Sequence, residues 1–315
     1  MPAAKVTDEV FIETWNRLKS AQKVADAIGS ALRDVQRRRR SIEARHGIRL
    51  NAALSTTNIE EHAARVHQQI ENGIAIVFSD AHFWDNTPTT AYRALLTMIK
   101  ELKPQLIVAN GDIFDGAQCS RHGSIGFLEN KPSIIQELHA CQEMMDGIVA
   151  AAPKSCKFTW PLGNHDARFE TYLAANAPQY QFVQGFHLKD HFPEWIPCWS
   201  TWINGEVVVK HRWKGGIHAT HNNTVQSGVS IVTGHLHSLK VTPWTDYNGT
   251  RYGVDTGTLS YTEGQQFIHY TEDNPKNWRS GFVVLSFWNG KLLPPEVVTV
   301  LDDGLVSFRG AAIEV

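Results

Sequence analysis

Five times along this chain, an apolar run of the kind that forms a strand covered on both faces ends on a carboxylate, an amide or an imidazole. "IAIVF" runs into Asp80 and His82, "LIVAN" into "GDIFD" (Gly111 to Asp115), and "CKFTWPL" into "GNHD" (Gly163 to Asp166). "EVVV" runs into Lys210-His211, and "SIVT" into "GHLH" (Gly234 to His237). Helix-patterned segments, Ala91 to Leu102 and Ser133 to Ala151, separate the early strands, so βαβ units are expected in the first half and hairpins in the second. Asn-Gly pairs at Asn72-Gly73, Asn204-Gly205, Asn248-Gly249 and Asn289-Gly290 predict the hairpin turns. Open α/β sheets place their sites at the carboxyl ends of strands. One polar strand end would be a turn; five predict a site.

Carboxylate, amide oxygen and imidazole without thiolate suit manganese, iron, zinc, nickel or cobalt, and seven such groups exceed the shell of one ion. Two divalent ions about 3.5 to 4 Å apart, sharing one carboxylate, would use them all and activate water against phosphorus. Manganese is the first expectation. For the fourth strand end His211 is preferred because it directly follows an apolar strand, with His218 and His221 in "GGIHATHNN" as its rivals.

DxH, GDxxD, GNHD, H and GHxH in this order resemble the calcineurin-like metallophosphoesterase superfamily over roughly Gly73 to Val300. The resemblance implies an α/β fold, a four-layer αββα sandwich of two mixed sheets. It implies that Asp80, His82 and His237 hold one metal, that Asn164, His211 and His235 hold the second, and that Asp112 bridges them. His165 would be the general acid or phosphoryl clamp, with Asp115 fixing its tautomer. Arg168, Arg121 and His122 are candidates for phosphate or a flanking nucleotide, and Trp84 or Trp213 for stacking on a base. The stretch "RYGVDTGTLSY" sits where many members have a site-closing turn. Arg212 stands where the fourth motif usually has glycine, and the arginine of the protein serine/threonine phosphatases is missing after Asp115.

Charge divides the chain. Residues 1–50 hold 11 Lys and Arg against 6 acids, a net +5; with −2 for the whole, the rest carries −7. Three short helices are expected in residues 1–50, capped by Thr7, Ser20 and Ser30 and ended by Gly29 and Gly47, then a linker at 51–68 and the phosphoesterase domain at 69–315. "VADAIGSALRDVQRRRR" resembles a helix-turn-helix of the phage and transposase kind, which makes Arg37, Arg38, Arg39 and Arg40 candidates for nucleic-acid contact.

No apolar run reaches the roughly 20 residues of a membrane span, and four scattered cysteines without a CxxC pair are expected to be free thiols in a cytoplasmic protein. The leading expectation is therefore a metal-dependent phosphodiesterase or nuclease acting on DNA. The pairing of modules also resembles phage and prophage metallophosphoesterases and repair exonucleases. A phosphatase or diesterase of small nucleotides, with the first module used for oligomerisation, is the alternative. A DNA-binding regulator with an inert domain is disfavoured by the complete ligand set. Oligomeric state is left open.

Overall fold

The computed structural model describes residues 6–48, 50, 62–120, 131–264, 266–267, 271, 274 and 276–315. The chain divides into two compact units, Met1–Glu61 and His62–Val315.

The first unit holds α1 (Asp8–Leu18), α2 (Ala21–Ile28) and α3 (Leu32–His46). Thr7 and Ser20 cap α1 and α2 by accepting the Val10 and Lys23 N–H groups. Ser30 does not cap α3. The helix begins one residue later, with Ala31 in the cap position and no side-chain hydrogen bond. Phe11, Trp15, Val24, Val35, Ile42 and Leu50 close a small core. Burying these large side chains offsets the ordering cost of a unit this short.

The second unit contains β1 (Val66–Gln68), β2 (Gly73–Phe78), α4 (Thr90–Leu102), β3 (Leu106–Ala109), α5 (Ile134–Ala151), β4 (Lys157–Pro161), α6 (Asp166–Asn176), α7 (Leu188–His191) and β5 (Ile196–Cys198). It continues through β6 (Thr201–Ile203), β7 (Val207–Val209), α8 (Ala219–Ser227), β8 (Ser230–Thr233), β9 (Lys240–Asp246) and β10 (Gly249–Asp255). The chain ends in β11 (Gly281–Trp288), β12 (Lys291–Leu292), β13 (Glu296–Asp302), β14 (Leu305–Phe308) and β15 (Ala311–Glu314). Among the described residues, one sheet runs β15-β14-β13-β11-β2-β3-β4-β5, with β12 on β11; the other runs β1-β6-β7-β8-β10-β9.

The layers follow from the two-residue period of a strand. In β2, Ile76 and Phe78 face a core shared with α4 and α5, while Ala75 and Val77 face a second core shared with β7, β8 and β10. Helix α8 packs on β8, β9 and β10. Helix, sheet, sheet and helix are thus the four layers. A capping box at Ser133 and Gln136 starts α5, and all four cysteines are free and buried.

Three of the four Asn-Gly turns join paired strands: β6 to β7, β9 to β10 and β11 to β12. Asn72-Gly73 does not. β1 lies parallel to β6 in one sheet and β2 parallel to β3 in the other, so the chain crosses between sheets there. Residues 66–68 are accordingly a strand rather than linker, and residues 51–61 of the expected linker lie outside the described residues.

Candidate metal centre

Parallel pairing of β2, β3 and β4 brings their carboxyl ends side by side, and β7 and β8 do the same in the facing sheet. The polar residues just past those ends converge there. Asp80, His82 and His237 form one group of candidate donors within 4.8 Å of one another, and Asp112, His211 and His235 form a second. His165 groups with His82 and Asp112.

The backbone reaches this arrangement under strain. Asp80, His82, Asp112, His235 and His237 all have positive φ, between 42° and 73°. Each such non-glycine residue costs on the order of 1–3 kcal/mol, which the surrounding packing must offset. Close approach also dictates two glycines. A Cβ on Gly163 would overlap Asp112 Oδ1, and one on Gly234 would meet Ser79 Oγ and, at 2.6 Å, Asp80 Oδ2.

Hydrogen bonds set the imidazole tautomers. His211 Nδ1 donates to the Asn110 carbonyl (2.8 Å), so that Nε2, 3.1 Å from Asp112 Oδ2, is the nitrogen a cation could take in place of a proton. His82 Nδ1 donates to Asp115 Oδ1 (2.8 Å), and His165 Nδ1 donates to the same oxygen (3.0 Å). Asp115 therefore orients two histidines where one was expected. Burial works against its charge, but both imidazoles hold its carboxyl well below the ordinary range. At His165 burial is likewise outweighed, by Asp112 and Asp115, so its pKa is raised. Burial opposes and Asp112 favours the charged form of His211, which rises to about 10.

The donor set fits cations. His82 Nε2, Asn164 Oδ1 and His211 Nε2 are buried without a hydrogen-bond partner, a costly state unless something binds them. His237 Nε2 lies 3.1 Å from Asp80 Oδ1, matching the His211–Asp112 spacing. Ligand bonds of about 2.1 Å put neighbouring donors of an octahedral shell about 3 Å apart. His218 and His221 belong to no donor group among the described residues, and His221 packs edge-on against Trp244.

Arg168 is at the site: Nη2 lies 3.0 Å from His165 Nε2, and Nη1 donates to the Asp115 carbonyl. Arg121 and His122 lie outside the described residues. Trp84 lines a cleft of about 870 Å³ that opens beside His82, whereas Trp213 is half-exposed on the loop after His211. Thr256 to Ser260 buttress the centre from behind, with Thr258 Oγ1 donating to the Asp80 carbonyl (2.6 Å) and Leu259 N–H to that of Ser79.

Two residues carry more than their sequence context suggests. Asp166, fully buried at the start of α6, accepts N–H groups from Asp112, Ile113, Phe114 and Gly163 and the Trp160 indole, at 2.8 to 3.1 Å. Its place as the last letter of GNHD was the one available signal. Glu137 accepts from the Gly116 and Ala117 N–H groups, and burial together with Asp115 raises its pKa to about 7. Nothing local in the sequence marks it.

The calcineurin-like phosphoesterase family profile matches residues 75–258, more than half of the chain, and the chain belongs to that family. The family is one of metal-dependent phosphoester hydrolases. No curated protein matches the sequence. Similar solved structures include zinc-complexed Vps29 of Entamoeba histolytica (14% identity, 76% of this chain and 98% of that one, TM-score 0.42). Vps29 of Chaetomium thermophilum gives 8%, 77%, 98% and 0.40, and the E. coli phosphoesterase YfcE gives 14%, 70%, 97% and 0.31.

Proposed function

We propose that this chain is a two-cation phosphodiesterase that acts on nucleic-acid strands. The converging donor groups around Asp112 carry the hydrolytic part of the reading. Asp80, His82 and His237 would hold one cation, Asn164, His211 and His235 the other, and Asp112 both. Such a pair supplies Lewis acidity and an activated water; manganese is the first candidate. His165, held by Asp115 and faced by Arg168, would neutralise charge on a phosphoryl oxygen and protonate the leaving group. His165→Gln should keep near-normal metal content and lose roughly 10²-fold in kcat on a nucleotide ester. The loss should be smaller on p-nitrophenyl esters, whose leaving group needs no proton. Metal loss in this variant would reassign His165 as a ligand.

The nucleic-acid part rests on α3. Arg33, Arg37 and Arg40 are exposed at i, i+4 and i+7, opposite the buried Val35 and Ile42. Arg33 and Arg40 pair with no carboxylate among the described residues. Arg37 meets only the exposed Asp34 (2.9 Å), a contact of little worth in solvent. Arg38 and Arg39 are used differently: Arg38 binds Asp8 and lies over Phe11, and Arg39 binds Glu43 and lies over Trp15. That inward use of half the arginine run favours the second reading, in which the small unit serves assembly and the substrate is a small nucleotide.

Manganese-loaded protein assayed on bis-p-nitrophenyl phosphate, p-nitrophenyl phosphate and single- and double-stranded DNA separates the two. Replacing Arg33, Arg37 and Arg40 with glutamine should lower the log-log salt slope of duplex binding by roughly 0.9 per lost contact. An unchanged slope, or no DNA binding at low salt, moves the small-nucleotide reading to first place.

A further inference from the structure

Resting on that reading, we infer that the segment around His211, carrying Lys210, Arg212, Trp213 and Lys214, grips the phosphates that flank the scissile one, so that the site selects an extended strand over a mononucleotide. The ammonium groups of Lys210 and Lys214 lie 5.9 and 5.7 Å from the centre of the Trp213 ring. A ring quadrupole attracts both cations and gathers them at one place. Trp213 is 43% exposed, so the cluster faces solvent beside the metal centre rather than the core. Among the described residues, neither lysine nor Arg212 pairs with a carboxylate, although this unit carries the acidic share of the chain.

The loop is held at both ends. The Lys210 N–H donates to the Val232 carbonyl (3.0 Å) and the Gly234 N–H to that of His211 (2.8 Å). At the far end the Lys214 N–H donates to Asn223 Oδ1 on α8, and Lys240 Nζ donates to the Ile217 carbonyl. The backbone flanking His211 is thereby held, and two cations are gathered over Trp213 within three residues of that histidine, where a polyanion loses less ordering entropy on binding. A monoanionic diester such as bis-p-nitrophenyl phosphate offers them nothing beyond the scissile group. Arg212, in the position the family motif usually gives to glycine, adds a charge that hydrolysis alone does not need.

The test uses the full-length, manganese-loaded protein and oligothymidylates from dinucleotide to hexanucleotide. In wild type, kcat/KM should climb with strand length. In Lys210→Gln/Lys214→Gln and in Arg212→Gln that climb should shrink roughly tenfold, measured against each variant's own rate on bis-p-nitrophenyl phosphate, and the salt slope of hexanucleotide binding should fall by roughly 0.7 per lost phosphate contact. A length preference and slope equal to wild type in both variants overturn the inference and leave the phosphodiesterase reading standing. A wild type that hydrolyses bis-p-nitrophenyl phosphate yet neither binds nor cuts any oligonucleotide overturns the nucleic-acid reading and this inference together.

Discussion

Asp112→Asn should abolish phosphoester hydrolysis, by roughly 10³-fold or more, and should empty both metal positions at once. Among the described residues, Asp112 is the one carboxylate that two donor groups share, with His82 and His165 on one side and His211 and His235 on the other. Burial disfavours its charge, but His211, His165 and His82 hold its carboxyl well below the ordinary carboxylate range. An amide keeps the shape and removes the negative charge that would offset two dications. By contrast, His211→Ala should mainly deplete one ion and His237→Ala the other, because each belongs to a single group. Elemental analysis after metal loading decides: a full complement of two ions in Asp112→Asn would reject the bridging role, and one ion or none in active wild type would reject the two-cation site.

Asp166→Asn should destabilise the phosphoesterase unit by about 4 kcal/mol, since buried donors left unmatched cost about 1–3 kcal/mol each and the amide must turn its own N–H groups toward at least two of them. For a unit of this size that is a fall in Tm of roughly 10 °C. The five N–H donors it collects come from the Gly163 turn, from Trp160 in β4 and from the three residues Asp112 to Phe114. One carboxylate therefore sets the position of Asp112 against that of Asn164. Activity should fall with stability. Calorimetry in excess chelator separates this effect from lost metal linkage, because the drop must persist in metal-free protein. A chelated Tm equal to that of chelated wild type would show that Asp166 matters only through the ions.

The strands and the polar residues that end them were legible in sequence because both are local signals. An apolar run of strand length states its own burial, and a polar residue directly after it states where the burial stops. The order of those strand ends carried the family, and the family carried the two-sheet architecture. Thr7, Ser20, Gly29 and Gly47 were readable for the same reason, since caps act within one turn.

What only the folded chain decided lies in contacts between segments distant in sequence. Asn72-Gly73 has hairpin chemistry, yet β1 and β2 each gain more by pairing in different sheets, with β6 and β3, than by pairing with each other. Four adjacent arginines look alike in a row. The helical period turns Arg38 and Arg39 toward Phe11 and Trp15, while Arg33, Arg37 and Arg40 share the outer face. The second histidine on Asp115, the placing of Arg168 on His165, and the five donors on Asp166 all join strand ends that pairing alone brings together. Left-handed backbone at five donor residues was likewise invisible, because Asp and His visit positive φ more often than most residues but still in only a small minority of cases. That conformation is imposed by the sheets and packing around it, which over-determine the turns.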